Sequence, residues 1–246
     1  MQILAHVSDI HIDGSPRSID RARAVMRHLE NLPGPLDAVV VTGDIADNGL
    51  IEEYEIARDL LATRHPTIVC PGNHDVRAAF RKVMLDEDGD GPINRVLRLD
   101  GLTVALCDSS VPGRPEGFLD DETLAWLEAV LAEDPDTPAM VGMHHPPVAL
   151  GIPYVDAIGL RAPGRLEAVL RRHPRVAAVL VGHAHTAAST TFAGLPLSIA
   201  PGVVSTLRLN QELDVQVPID YDLPPQIALH VFDGVRLVTH VRPILF

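Results

Sequence analysis

Five short clusters of side chains able to bind metal ions punctuate the chain: Asp9 with His11, Asp44, Asn73 with His74, His144, and His183 with His185. Each follows an apolar run, respectively Ile3 to Val7, Ala38 to Val41, Thr67 to Cys70, Ala139 to Met143 and Val176 to Val181. Core packing asks for no histidine or aspartate at the end of a strand, so recurrence at one structural phase calls for a chemical reason. Asp9 and His11 stand two residues apart, as do His183 and His185, a spacing that on an extended segment sends both side chains of a pair to one face. Leaving His74 aside, the clusters offer two carboxylates, one amide and four imidazoles. A tetrahedral catalytic zinc takes three protein ligands, so this count points to two ions. Imidazole and carboxylate donors without thiolate suit Mn, Fe, Zn or Co and disfavour copper(I) and iron–sulfur clusters. Two such ions ~3.5–4 Å apart stabilise the attacking and leaving oxygens of a phosphate ester. Hydrolysis of a phosphoester is therefore the chemistry these residues could run.

The runs that must position them read as strands separated by amphipathic helices. Ile19, Ala22, Met26 and Leu29 recur at helical spacing behind Ser18, taken as the N-cap, and Leu50, Tyr54, Ala57 and Leu61 mark a second helix. This βαβαβ order calls for a parallel sheet, in which ligand groups collect outside the carboxyl ends of the strands. The motif Pro71-Gly72-Asn73-His74-Asp75 turns sharply there, because proline fixes φ and glycine admits backbone angles that a side chain resists. Further on, Val76 to Leu85 reads as helical, and Val96 to Leu99 and Thr103 to Cys107 pair across Asp100-Gly101. Asp121 caps a helix carrying Leu124, Leu127, Val130 and Leu131, and Arg165 to Arg172 is a short helix. After His185 the pattern turns antiparallel, with Ser189 to Ala193 against Pro196 to Ala200 and Ile227 to Phe232 against Val235 to Val241. Residues 210–225 form a connection too long to be ordinary and are expected to be a lid or a contact loop.

Composition narrows the partners. The formal charge of −13 comes from 33 acidic against 20 basic residues, and the only lysine is Lys82. No basic run is present to track phosphates, so nucleic-acid binding is not expected and a small substrate fits better. The apolar runs are too short to span a bilayer. Nothing near Met1 reads as an export signal, and Cys70 and Cys107 sit in apolar runs as free thiols do in a reducing compartment, so the expected location is cytoplasmic. No repeat or linker divides the chain, and residues 1–246 are expected to be one domain.

Asp9-x-His11, Gly43-Asp44-x-x-Asp47, Gly72-Asn73-His74-Asp75, His144-His145-Pro146-Pro147 and Gly182-His183-x-His185, in this order, resemble the calcineurin-like metallophosphoesterases. The likeness is strongest to the bacterial branch of class III cyclic nucleotide phosphodiesterases and glycerophosphodiesterases, and it covers about residues 2–205. The resemblance implies an α/β fold, a four-layer αββα sandwich of two mixed sheets flanked by helices. It also implies a dinuclear centre bridged by Asp44, with Asp9, His11, Asp44 and His185 on one ion and Asp44, Asn73, His144 and His183 on the other. The nucleophile would be a hydroxide between the metals, and His74 would protonate the departing alkoxide. Asp47 and Asp75 would orient a histidine or the turn, and His145 would shape the pocket. The substrate class implied is a small phosphodiester, a cyclic nucleotide or a glycerophosphodiester. A broad phosphomonoesterase and a non-catalytic scaffold on the same fold are the alternatives. The region after His185 borders the pocket and contributes dimer contacts in the resembling enzymes, so a homodimer belongs to the same expectation.

Overall fold

A continuous apolar run such as Ala38-Val39-Val40-Val41-Thr42 has no face that tolerates water, and it is buried at every position. The computed structural model describes residues 1–212, 215 and 217–245. The chain opens with β1 (Gln2–Val7), α1 (Pro16–Glu30), β2 (Ala38–Thr42), α2 (Ile51–Leu61) and β3 (Thr67–Cys70). A short α3 (Arg77–Phe80) widens into a π-helical turn over Arg81–Leu85, ahead of the hairpin of β4 (Arg95–Leu99) and β5 (Leu102–Leu106). Next come α4 (Asp121–Glu133), β6 (Ala139–Gly142), α5 (Pro153–Ala157), α6 (Gly164–Leu170) and β7 (Val176–Val181). The chain continues through β8 (Ala188–Phe192), β9 (Leu195–Ile199), β10 (Thr206–Leu207), β11 (Ile219–Asp220), β12 (Gln226–Phe232) and β13 (Leu237–Pro243).

Two mixed sheets result, in strand orders β13-β12-β1-β2-β3 and β4-β5-β6-β7-β9-β8. In the first, β1, β2 and β3 are parallel, and in the second β5, β6, β7 and β9 are. The inner faces meet through Leu4, Val40, Ile68, Val104, Met140 and Leu180, all buried. The outer face of the first sheet packs on α1 and α2 through Val39, Val41, Val25, Leu29 and Tyr54. That of the second packs on α4 and α6 through Val141, Val179, Leu127 and Leu166. The architecture is a four-layer αββα sandwich, and alternate residues of each strand serve different cores.

Four local readings are corrected. The N-cap of α1 is Ser15, whose side chain accepts from the Ser18 amide, because Pro16 suits the first helical position where no amide proton is needed. Asp120, one residue before the expected cap, accepts from the Thr123 amide. The last strand begins at Leu237, two residues late, because the turn takes Asp233 to Arg236, with Asp233 accepting from the amides of Val235 and Arg236. The two-residue strands β10 and β11 pair where the sequence pattern shows no strand, β11 inside the expected lid, each too short to show an alternation. Of the expected lid, Ile219 and Tyr221 line a cavity, while Asp214 lies outside the described residues. No helix among the described residues is long and apolar enough to cross a membrane.

Candidate metal centre

All five clusters lie beyond the carboxyl ends of parallel strands, at the same end of the two sheets: Asp9 and His11 after β1, Asp44 after β2, Asn73 after β3, His144 after β6, and His183 and His185 after β7. The first two loops are zipped together, with the amides of Asp9, Ile10 and His11 donating to the carbonyls of Gly43 and Asp44. Asp9, His11, Asp44, His183 and His185 all take positive φ, from 46° to 70°. Non-glycine residues avoid this region, and such conformations concentrate at functional sites. It also corrects the reading of the two pairs: Asp9 with His11 and His183 with His185 converge through left-handed backbone, not along an extended segment. Gly72 lies so close to Asp44 that a Cβ there would collide with its carboxylate.

The hydrogen bonds fix where the lone pairs point. Thr42 offers only a carbonyl oxygen to His144 Nδ1 (2.7 Å), so that nitrogen carries the proton and donates. His11 Nδ1 likewise donates to Asp47 Oδ1 (2.9 Å), and His185 Nδ1 shares a hydrogen bond with Ser205 Oγ (2.9 Å). The opposite nitrogens face inward. His11 Nε2 lies 3.2 Å from His185 Nε2 and 3.4 Å from Asp44 Oδ2, and His185 Nε2 lies 3.5 Å from Asp9 Oδ1. On the other side, His144 Nε2 lies 3.2 Å from Asp44 Oδ2, 3.2 Å from Asn73 Oδ1 and 3.1 Å from His183 Nδ1. Acceptors crowded at such separations repel unless a cation lies among them, and edges of ~2.8–3.6 Å, from octahedral to tetrahedral, go with coordination bonds of about 2.0–2.2 Å. The buried His183 Nε2 has no hydrogen-bond partner among the described residues. The residues fit a pair of metal ions, with Asp44 Oδ2 common to both groups of donors. The other Asp44 oxygen accepts from the His74 amide (2.9 Å).

Without a cation the buried charges regulate one another. Burial raises the Asp9 carboxyl to about 6. Burial opposes a charge on His144, yet the carboxylates of Asp44 and Asp9 raise it to about 9. Burial and the neighbouring His144 push His183 down to about 3, and burial with His11 holds His185 well below its ordinary value.

The other expected residues divide by what they touch. His74 is exposed, its Nδ1 2.8 Å from the Asp47 carbonyl and 3.6 Å from the Asp47 carboxylate. Asp75 is buried and accepts from the amides of Gly72, Ile45 and Ala46 and from Tyr54 Oη, at 2.8 to 3.2 Å. It ties the loops after β2 and β3 together. His145 has both ring nitrogens engaged, with Ser109 Oγ at 2.8 Å and the Pro115 carbonyl at 3.2 Å, and it packs against His183. Three supports escaped the sequence reading: the Thr42 carbonyl, Ser205 and Ser109. A backbone oxygen carries no residue signature, and neither serine belongs to the motif whose histidine it holds. The site opens into a cavity of about 570 Å³ lined by His11, Asp44, Asn73, His74, His183 and His185 together with Asp13, Arg17, Tyr154 and Tyr221.

Comparison with known proteins bears on the family and the fold. Residues 3–187 match the model of the calcineurin-like phosphoesterase family. The chain is 34% identical over 255 residues to the glycerophosphodiester phosphodiesterase GpdQ of Enterobacter lignolyticus, covering 97% of this chain and 90% of that protein. It is 34% identical over 221 residues to a cAMP/cGMP dual specificity phosphodiesterase of Mycobacterium tuberculosis, covering 85% and 69%. A dimetal phosphatase from Danio rerio shares the fold, with a TM-score of 0.68 at 18% identity over 97% of this chain and 98% of that one.

Proposed function

The chain belongs to the calcineurin-like phosphoesterase family, and we propose that it is a hydrolase that cleaves a small phosphodiester, of the glycerophosphodiester or cyclic nucleotide class, at a dinuclear metal site. Asp9, His11, Asp44 and His185 would hold one ion, and Asp44, Asn73, His144 and His183 the other. The observation that carries the reading is Asp44 Oδ2, which lies 3.4 Å from His11 Nε2 and 3.2 Å from His144 Nε2, one carboxylate oxygen between two sets of inward lone pairs. Bound there, two ions supply Lewis acidity toward phosphoryl oxygens and lower the pKa of water toward neutrality. The nitrogen and oxygen donors suit Mn, Fe, Zn or Co.

The chain's own residues orient and move protons. Asp47 and Thr42 fix the tautomers of His11 and His144 by taking the Nδ1 protons. His74 stands at the cavity as general acid. Its Nδ1 proton is committed to the Asp47 carbonyl, so the proton for a departing alkoxide leaves from Nε2. The net charge of −13 supports a small substrate over a polyanion, and the two buried free cysteines support a reducing, cytoplasmic setting. The test is turnover of bis-p-nitrophenyl phosphate against p-nitrophenyl phosphate with Mn(II), Fe(II), Zn(II) or Co(II) added in turn. The diester is expected to be the better substrate. A clear monoester preference would replace the phosphodiesterase reading with a phosphomonoesterase.

A further inference from the structure

We infer that Arg17 and Tyr221, at the rim of the cavity, make the site select against cationic ester groups and favour substrates whose group beyond the phosphate is neutral or anionic and rich in hydrogen-bond acceptors. This rests on the phosphodiesterase reading above. Arg17 is the second residue of α1, and the first turn of that helix holds no acidic residue. A positive charge at a helix N-terminus opposes the dipole, where an acid would be favourable. Helix stability therefore does not account for the arginine. Among the described residues its guanidinium makes no ion pair: one nitrogen donates to the Tyr221 carbonyl at 2.6 Å, and the group lies over the Tyr221 ring, 5.0 Å from its centre.

Aromatic faces are the usual receptors of ammonium groups. Here the face of Tyr221 is already covered by the chain's own cation, so an incoming choline or ethanolamine group meets like charge instead of a receptor. Beyond the metal donors, two carboxylates line the same cavity, each with hydrogen-bond partners of its own. Asp13 accepts from the Ser15 amide and Ser18 Oγ, and Asp47 from His11. Arg17 keeps further N–H donors for a ring nitrogen, a carbonyl or a hydroxyl oxygen, and Ile158 and Ile219 give the same cavity an apolar wall for a flat group.

The test compares kcat/KM for 3′,5′-cyclic AMP and glycerophosphocholine, with Mn(II), in the full chain and in Arg17→Glu and Arg17→Lys, alongside binding of 5′-AMP and phosphocholine by calorimetry. Glutamate suits the first turn of a helix, so Arg17→Glu is expected to fold. The parent should prefer cyclic AMP. Arg17→Glu should lower the cyclic AMP to glycerophosphocholine ratio at least ~10-fold, since like charges brought together are strongly discriminated. Arg17→Lys, which keeps the charge and loses the fork, should hold the ratio within about threefold. A parent preference for glycerophosphocholine, or Arg17→Glu scaling both substrates by one factor, overturns the inference and leaves the phosphodiesterase reading standing. Should no diester be turned over, the binding data decide: 5′-AMP affinity falling in Arg17→Glu while phosphocholine affinity does not supports the inference as the activity reading fails, and equal changes overturn it.

Discussion

His74 and Asn73 are neighbours with different work, and their exposure separates them. Asn73 faces His144 Nε2 at 3.2 Å, whereas the side chain of His74 is 41% exposed toward the cavity with only Nδ1 tethered. His74→Ala should therefore leave metal content unchanged while lowering kcat by ~10²–10⁴-fold, most for diesters with poor leaving groups, because general acid assistance matters in proportion to leaving-group basicity. A uniform loss across leaving groups would assign His74 to binding instead. A second residue-scale effect lies outside the site. His6 and His230 are fully buried and bonded to each other at 3.1 Å, with Thr42 and Thr239 at the two ends of the pair. Burial pushes His230 down to about 4 from 6.5. Above pH 6.5 the ring is neutral folded or unfolded and contributes no pH dependence. Below it the unfolded chain takes up a proton that the folded chain refuses until about pH 4, so stability falls with acidity across that window, by at most about 3 kcal/mol. Denaturant titrations of the parent and His230→Gln from pH 7.5 to 4.5 should show a shallower decline in the variant. Identical declines would mean that the buried ring is not held neutral.

The loops after β2 and β3 act as one element because Asp75 joins them, taking three amides and the Tyr54 hydroxyl. Asp75→Asn turns one accepting oxygen into a donor facing a donor. Metal affinity is expected to fall ~10–100-fold, as it does when supports of metal ligands are removed, with kcat/KM recovering as metal is raised. Unchanged affinity by metal titration would show that the loops hold their shape without this tether. This scale also explains what the sequence made legible. The strands around Val39, Val104 and Val179 were readable because strands buried between layers must be apolar along their whole length. Asp9, Asp44, His144 and His183 stood out because each interrupts such a run at its end. The left-handed backbone at Asp9 and His11 was not legible, since neither residue is glycine and the bonds that hold it run to distant carbonyls, those of Gly43 and Asp44. Nor was β10–β11, or the hold that Arg21 keeps on this segment by donating to the carbonyls of Val203 and Leu223, 182 and 202 residues away. Such contacts follow from how layers stack, and no local pattern encodes them.

At the scale of the whole molecule the candidate centre lies on the seam between the two sheets. Asp9, His11, Asp44 and Asn73 come from loops of the first sheet, His144, His183 and His185 from loops of the second, and Asp44 Oδ2 and His144 Nε2 meet across the seam at 3.2 Å. Ions held there would cross-link the sheets and would balance Asp9 and Asp44, which are buried at 0% and 2% exposure. Metal binding should therefore appear as fold stability as well as activity. A ligand that binds only the folded chain at a thousand times its Kd adds about 4 kcal/mol, and each kcal/mol moves Tm by roughly 2–4 °C in a chain of this size. Melting in chelator against saturating Mn(II) should then differ by about 8–16 °C. His11→Ala and His144→Ala, one from each sheet, should each lose most of that difference, because either change opens a set of donors that includes Asp44. A melting temperature indifferent to chelator in the parent would count against a cross-linking metal pair, whatever activity the loaded protein showed.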